Sequence, residues 1–187
     1  VGARSRDAET IRVLEALVKE DRLQLTLLQS LASGMLGNGG RLTMTQATSP
    51  TVAEFLKRIV GEARTTAADR SAGAGARQQA IKLLGVVPFA ESSDVLAKLL
   101  DVAEPELVQL EAIRSLATNS DAEVATILLA DWRSQTPTVR KEVIEALLAR
   151  PSRTLAYLSA VKRGEASVAQ VDLNRRSLLL KDTNEEI

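Results

Sequence analysis

The sequence predicts an all-α protein, built as a right-handed α-α superhelix: a solenoid of antiparallel helix pairs. Three observations carry that expectation. Apolar residues recur three and four positions apart along almost the whole chain, and no segment shows sustained period-two alternation rich in β-branched residues. The hydrophobic fraction is 45% while the aromatic fraction is 2%, so the core is filled by Leu, Ala, Val and Ile rather than by rings. Finally, Ala80-Ile81-Lys82-Leu83-Leu84, Ala112-Ile113-Arg114-Ser115-Leu116 and Val143-Ile144-Glu145-Ala146-Leu147 occupy equivalent places, with steps of 32 and 31 residues between the isoleucines. A period in that range marks an array of helical hairpins.

The first expected pair is a helix over residues 6–19, carrying Ile11, Leu14, Leu17 and Val18 on one face, and a second over 22–36 carrying Leu25, Leu28, Leu31 and Ala32. Gly37-Asn38-Gly39-Gly40 opens a polar, threonine-rich loop over 37–50. Ser49-Pro50 reads as an N-cap followed by a first-turn proline, with Thr51 and Glu54 an alternative capping box, and a helix follows to about Asp69. The small residues 71–75 are expected to separate an irregular N-terminal part, 1–70, from a regular part, 71–187. In that second part three repeats are expected over about 76–104, 105–135 and 136–164. Their second helices fall over 91–100 with Val95, Leu96 and Leu99, over 121–133 with Val124, Ile127, Leu128 and Trp132, and over 153–163 with Leu155, Leu158 and Val161. Pro88, Pro105, Pro137 and Pro151 punctuate that register at helix edges. Ser120 with Glu123 and Thr136 before Pro137 supply caps, and 171–180 is a short closing helix. One hairpin cannot bury its apolar stripe alone, so the repeats are expected to stack as one continuous solenoid.

Composition excludes more function than it suggests. The chain has no cysteine and no histidine, which removes disulfides, thiolate nucleophiles, Cys/His zinc sites, imidazole bases and His or Cys haem ligands. No cofactor and no catalytic residue is expected. Lys plus Arg equals Asp plus Glu at 24 each, which argues against the cationic footprint of a phosphate-backbone binder. No apolar run reaches membrane-spanning length, and the first seven residues hold no signal-peptide core. Both ends read as cuts in a longer protein.

Val139-Arg140-Lys141-Glu142 with Ala146-Leu147, and Leu116-Ala117 followed by Asp121-Ala122-Glu123-Val124 with Leu128-Leu129, resemble HEAT repeats of the short bacterial type over about residues 76–163. Leu83-Leu84-Gly85 with Pro88-Phe89, Gln109 to Leu116, Ala149-Arg150-Pro151 and Asp172-Leu173-Asn174-Arg175-Arg176 resemble the helical middle region of large bacterial exported proteins, described as membrane-bound dehydrogenases with a haem-binding C-terminus. In that family a dehydrogenase domain precedes the helical region and a c-type cytochrome follows it. This chain has the sequence of neither, so no haem or dehydrogenase residue carries over. The resemblance implies an exported parent and a spacer or docking role between redox domains.

Each chemical signal has a structural counterpart. Gly34, Gly37, Gly39 and Gly40 resemble a phosphate loop only in composition, since no strand precedes them and no Gly-Lys-Ser/Thr follows; a helix C-cap and loop explains them. Thr43, Thr45 and Thr48 are candidate contacts of that loop with a partner. Trp132 and Tyr157 read as packing residues. Glu91, Asp94, Asp101, Glu104 and Glu106 could form a divalent-ion site, but Lys98 intervenes and the spacing is not that of a calcium loop. In stacked hairpins the second helices line the concave side, which makes Lys98, Asp131, Arg133, Arg153, Lys162 and Arg163 the candidate partner-binding residues; basic residues at helix ends also simply complement the helix dipole. The function expected is a non-catalytic scaffold for protein–protein or interdomain contacts. The alternatives are a nucleic-acid-binding HEAT-like solenoid and a lyase- or glycosylase-like helical enzyme.

Overall fold

A computed structural model of the protein describes residues 10–16, 18, 34 and 49–187, and every regular element among them is helical. The loop 37–50 apart from its last two residues, and the expected helix 22–36 apart from Gly34, lie outside the described residues. The chain divides into two compact units, Val1–Val95 and Leu96–Ile187.

In the first unit residues 10–16 are helical and Leu14 is buried. Helix α1 (Pro50–Ala68) starts where the sequence places it: the Ser49 side chain accepts from the Val52 amide and Pro50 fills the first turn, so the Thr51–Glu54 capping box is not used. Its inward stripe is Val52, Phe55, Leu56, Ile59, Ala63 and Ala67, at the three- and four-residue spacing that puts side chains on one helical face. Helix α2 (Ala74–Leu84) packs against α1 and buries Ala80, Ile81, Leu83 and Leu84. It begins inside the segment expected to be a flexible separator, because Ala74 and Gly75 already belong to its first turn. Arg77 fastens it to α1, donating from Nε to the Ala67 carbonyl at 2.9 Å. Arg64 spans 30 residues to Asp94 as a two-pronged pair at 2.8 and 2.7 Å. Helix α3 (Phe89–Lys98) follows Pro88 and contains the boundary between the units.

The second unit holds α4 (Glu106–Ala117), α5 (Glu123–Leu129), α6 (Pro137–Leu148), α7 (Pro151–Lys162), a 3₁₀ turn at Val168–Gln170 and α8 (Leu173–Leu179). Helix α4 packs on α6, α5 on α7, and α6 on α7. Like therefore meets like: the first helix of one hairpin rests on the first of the next, and the second on the second. Ile81, Ile113 and Ile144 are 0, 0 and 3% exposed, so the three residues that define the sequence period all point inward. Val108 and Val139, earlier on the same two first helices, are buried as well, and Val171 before α8 takes up the same position one step on.

Polar contacts in this unit repeat with the same spacing. Arg114 pairs with Glu142, Thr136 donates to Glu106, Arg133 donates to the Gly164 carbonyl and Arg150 to the Thr118 carbonyl, across 28, 30, 31 and 32 residues. Each joins one hairpin to its neighbour. Thr136 does this while capping α6, since its hydroxyl oxygen also accepts from the Val139 amide. Thr136→Ala is expected to destabilise the unit by about 0.5–2 kcal/mol in thermal melts, and Thr136→Ser, which keeps both bonds, to stay within a few tenths.

Three features, in α5 and α7, differ from the sequence expectation. Helix α5 begins at Glu123 with Ala122 as N-cap and no side-chain cap, so the Ser120–Glu123 box does not form. Its entry is closed instead by short main-chain bonds, Val124 N–H to the Asp121 carbonyl and Ala125 N–H to the Ala122 carbonyl. Second, α5 ends at Leu129, and Trp132 sits in a run of turns closed by three-residue bonds rather than on the helix. Third, the buried stripe of α7 is Arg153, Thr154, Tyr157 and Ala160, while Leu155, Leu158 and Val161 are half-buried at its sides. The sequence reading followed the leucines; the helix is rotated to bury its tyrosine ring and an arginine.

Candidate functional site

A cleft of the second unit lies at the C-terminal ends of α5 and α7, with a volume of about 580 Å³. Its construction starts from a glycine. After α7 the chain turns at Gly164, which has φ of 74°, a left-handed conformation that glycine adopts without a Cβ clash. The Glu165 amide then reaches back to the Ala160 carbonyl at 2.9 Å, the bond pattern of a Schellman helix end. That turn directs the Gly164 carbonyl toward the preceding hairpin, where Arg133 donates to it at 2.9 Å. The turns after α5 form the other wall, with Asp131, Trp132, Arg133 and Ser134.

Beneath the cleft Trp132 packs against Tyr157 with ring centroids 5.9 Å apart and planes tilted by 52°, within the range of favourable aromatic pairs. Tyr157 is fully buried and donates its hydroxyl proton to the Ser167 carbonyl at 2.8 Å. Burial pushes its phenol above the usual tyrosine range. At the mouth, Arg163 and Glu165 form a two-pronged pair at 2.9 and 2.6 Å. The Arg163 hydrogen bond holds the Glu165 carboxyl below the usual carboxylate range, and Arg133 pulls in the same direction.

Of the six candidate binding residues, the structure brings Asp131, Arg133 and Arg163 together around this cleft. Lys162 is exposed beside it as the last residue of α7, and Lys98 is exposed at the end of α3, outside the cleft lining. Arg153 does not belong to an open face. It is 1% exposed and directs one Nη to the Ala117 carbonyl at 3.0 Å and the other to the Asn119 carbonyl. These carbonyls lie at the C-terminal end of α4, where acceptors lack helical partners and a cation is favoured. Arg153 is therefore a structural clamp between hairpins, not a binding residue. The sequence reading missed Glu165 and Ser159, which also line the cleft; the available signal was Gly164 directly after a basic helix end.

The acidic candidates are dispersed into separate roles. Asp94 pairs with Arg64, Asp101 accepts from the Ala103 amide and Glu106 accepts from Thr136. Among the described residues no group of three or more Asp, Glu, His or Cys side chains is arranged to hold a metal ion, and no helix is long and apolar enough to cross a membrane. A second, smaller groove of about 240 Å³ runs between α1 and α2 over Ile59, Ala63, Ala80 and Leu83, with Glu62, Thr66 and Gln79 also in its lining.

The main cleft offers two acids, two arginines already engaged, and serine and threonine hydroxyls over an aromatic floor. These groups can donate and accept hydrogen bonds. In comparisons with protein-family models, curated proteins and solved structures, the chain matches none.

Proposed function

We propose that this chain is a non-catalytic scaffold, a segment of HEAT-like right-handed solenoid that holds protein partners or neighbouring domains. The observation that supports this most is the repetition of inter-hairpin ties at one-period spacing in the unit 96–187, with Arg114–Glu142 and Thr136–Glu106 joining first helices. Such a seam builds a stiff array in which each hairpin depends on its neighbours. The cleft between the ends of α5 and α7 is the proposed docking place. Its mixed charge suits a polar protein surface better than a phosphate backbone, because each arginine already has an acceptor. The resemblance carried by Asp172-Leu173-Asn174-Arg175-Arg176 and the other segments supports a setting between redox domains of an exported parent.

The test is a photo-crosslinking side chain at Ala130 or Ser159, which are exposed and line the cleft, compared with one at exposed Thr138 on α6. In cells that make the protein, the cleft positions are expected to yield a discrete protein adduct, or an adduct to a flanking domain, that Asp131→Arg and Arg163→Glu weaken several-fold. Adducts to nucleic acid, equal labelling from Thr138, or no adduct at all contradict the reading.

A further inference from the structure

The first helices of the hairpins carry a long polar residue at one shared position, the fourth after the N-cap. These residues are Arg77 after Gly73, Gln109 after Pro105, Arg140 after Thr136 and Arg176 after Asp172. Helical side chains lean toward the N-terminus, so each can reach back to the chain that enters its own helix. Three of the four do. Arg77 donates to the Ala67 carbonyl at 2.9 Å. Gln109 donates to the Asp101 and Glu104 carbonyls at 2.8 and 3.0 Å, and Arg176 to the Val171 and Ala169 carbonyls at 2.8 and 3.0 Å. In α4 and α8 one acceptor is the residue just before the cap, Glu104 or Val171, so the entering turn is latched to the helix it leads into.

Helix α6 has the residue without the bond. Arg140 is half-buried, and its Nε is covered yet bonded to none of the described residues. Gln135, just before the cap Thr136 and 4% exposed, leaves both atoms of its side-chain amide without a partner among them. These two residues hold the places that meet across the first turn of a helix, where apolar side chains often form a staple. Buried polar groups are nearly always paired, and here a buried donor and a buried acceptor at meeting positions are not. The turn 131–135 is tied elsewhere instead: exposed Arg133 crosses to the Gly164 carbonyl of the next hairpin, and the same turn forms a wall of the cleft. We infer that this turn is a two-position latch. In the position described it is tied across the cleft to Gly164. In the other it is drawn onto α6, with the Arg140 fork donating to the Gln135 carbonyl, as in α4 and α8, and to its side-chain oxygen. The two positions change the shape of the cleft, so a ligand that fits one of them shifts the latch. That consequence rests on the cleft being the docking place; the latch itself does not.

The experiment is NMR relaxation dispersion on the full chain, which detects exchange on the microsecond-to-millisecond scale. It needs no partner, so its outcome is independent of whether the cleft docks one. Trp132 lies in the turn, packs on Tyr157 and is the sole tryptophan, so its indole N–H is an unambiguous reporter. Exchange is expected at the amides of 131–135 and at that indole, while the latched turns 101–104 and 169–171 stay flat. Arg140→Met keeps the length of the side chain and removes its donors; it is expected to abolish the exchange and leave the Trp132 signal at the wild-type major position. Arg133→Met releases the tie to Gly164 and is expected to raise the minor population several-fold, moving the Trp132 signal toward the minor position. Flat dispersion at 131–135 in the wild type, equal exchange in all three turns, exchange that survives Arg140→Met, or a crystal structure in which a buried water bridges Gln135 and Arg140 would overturn the inference.

Discussion

Ile113→Ala is expected to lower the unfolding free energy of the unit 96–187 by about 2–5 kcal/mol, seen as a fall in the urea midpoint with an unchanged slope. Ile113 is completely buried in α4. The substitution removes three carbon groups, each contributing roughly 0.8 kcal/mol of transfer free energy, and leaves a cavity that the packed helices can only partly close. Leu107 on the same helix is the internal control. It is a similar aliphatic residue but 57% exposed, and Leu107→Ala should change stability by no more than about 0.5 kcal/mol. Equal effects at the two positions would show that the register is wrong.

Arg153→Met is expected to be nearly as damaging, although it exchanges a charged residue for an apolar one of similar length in a buried place. The guanidinium is held below its usual pKa range by burial and then by the neighbouring Arg150 charge, with Asp121 pulling the other way. Removing it relieves that desolvation cost. It also leaves the Ala117 and Asn119 carbonyls without their donor, at about 1–3 kcal/mol for each buried acceptor. Two orphaned acceptors outweigh one relieved charge whose two Nη groups were both bonded, so the net sign is destabilising. Arg153→Lys separates geometry from charge: a single ammonium lacks the planar fork that reaches two carbonyls at once, and the loss should lie between wild type and methionine. Chemical denaturation of the three proteins checks the order, and a methionine variant at least as stable as wild type would contradict the clamp.

The parts of this fold legible in the sequence are those fixed by local chemistry. Ser49 before Pro50 and Thr136 before Pro137 act as written, because a hydroxyl capping the third amide and a ring that needs no amide hydrogen are local requirements. The isoleucine period was legible because inward positions tolerate little else. The rotation of α7 was not. Leu155 and Leu158 lie together on one flank of that helix, so leucine spacing alone points to their side, and the deciding contacts come from Tyr157 reaching the Ser167 carbonyl and Arg153 reaching the end of α4. An arginine is rarely placed inside on composition grounds, yet Arg153, Thr154, Tyr157 and Ala160 do form one helical stripe. The cleft was half legible: Asp131, Arg133 and Arg163 were in view, but the Gly164 turn that gathers them depends on a hairpin 31 residues away.

The central physical claim is that hairpins in the unit 96–187 are stable only against one another. Native-state hydrogen exchange on Ile113→Ala, read helix by helix, tests it most directly. The account predicts that protection falls in α6 as well as in α4, because α4 and α6 share the seam that the substitution opens. Loss of protection confined to α4, with α6 exchanging as in the wild type, would contradict it.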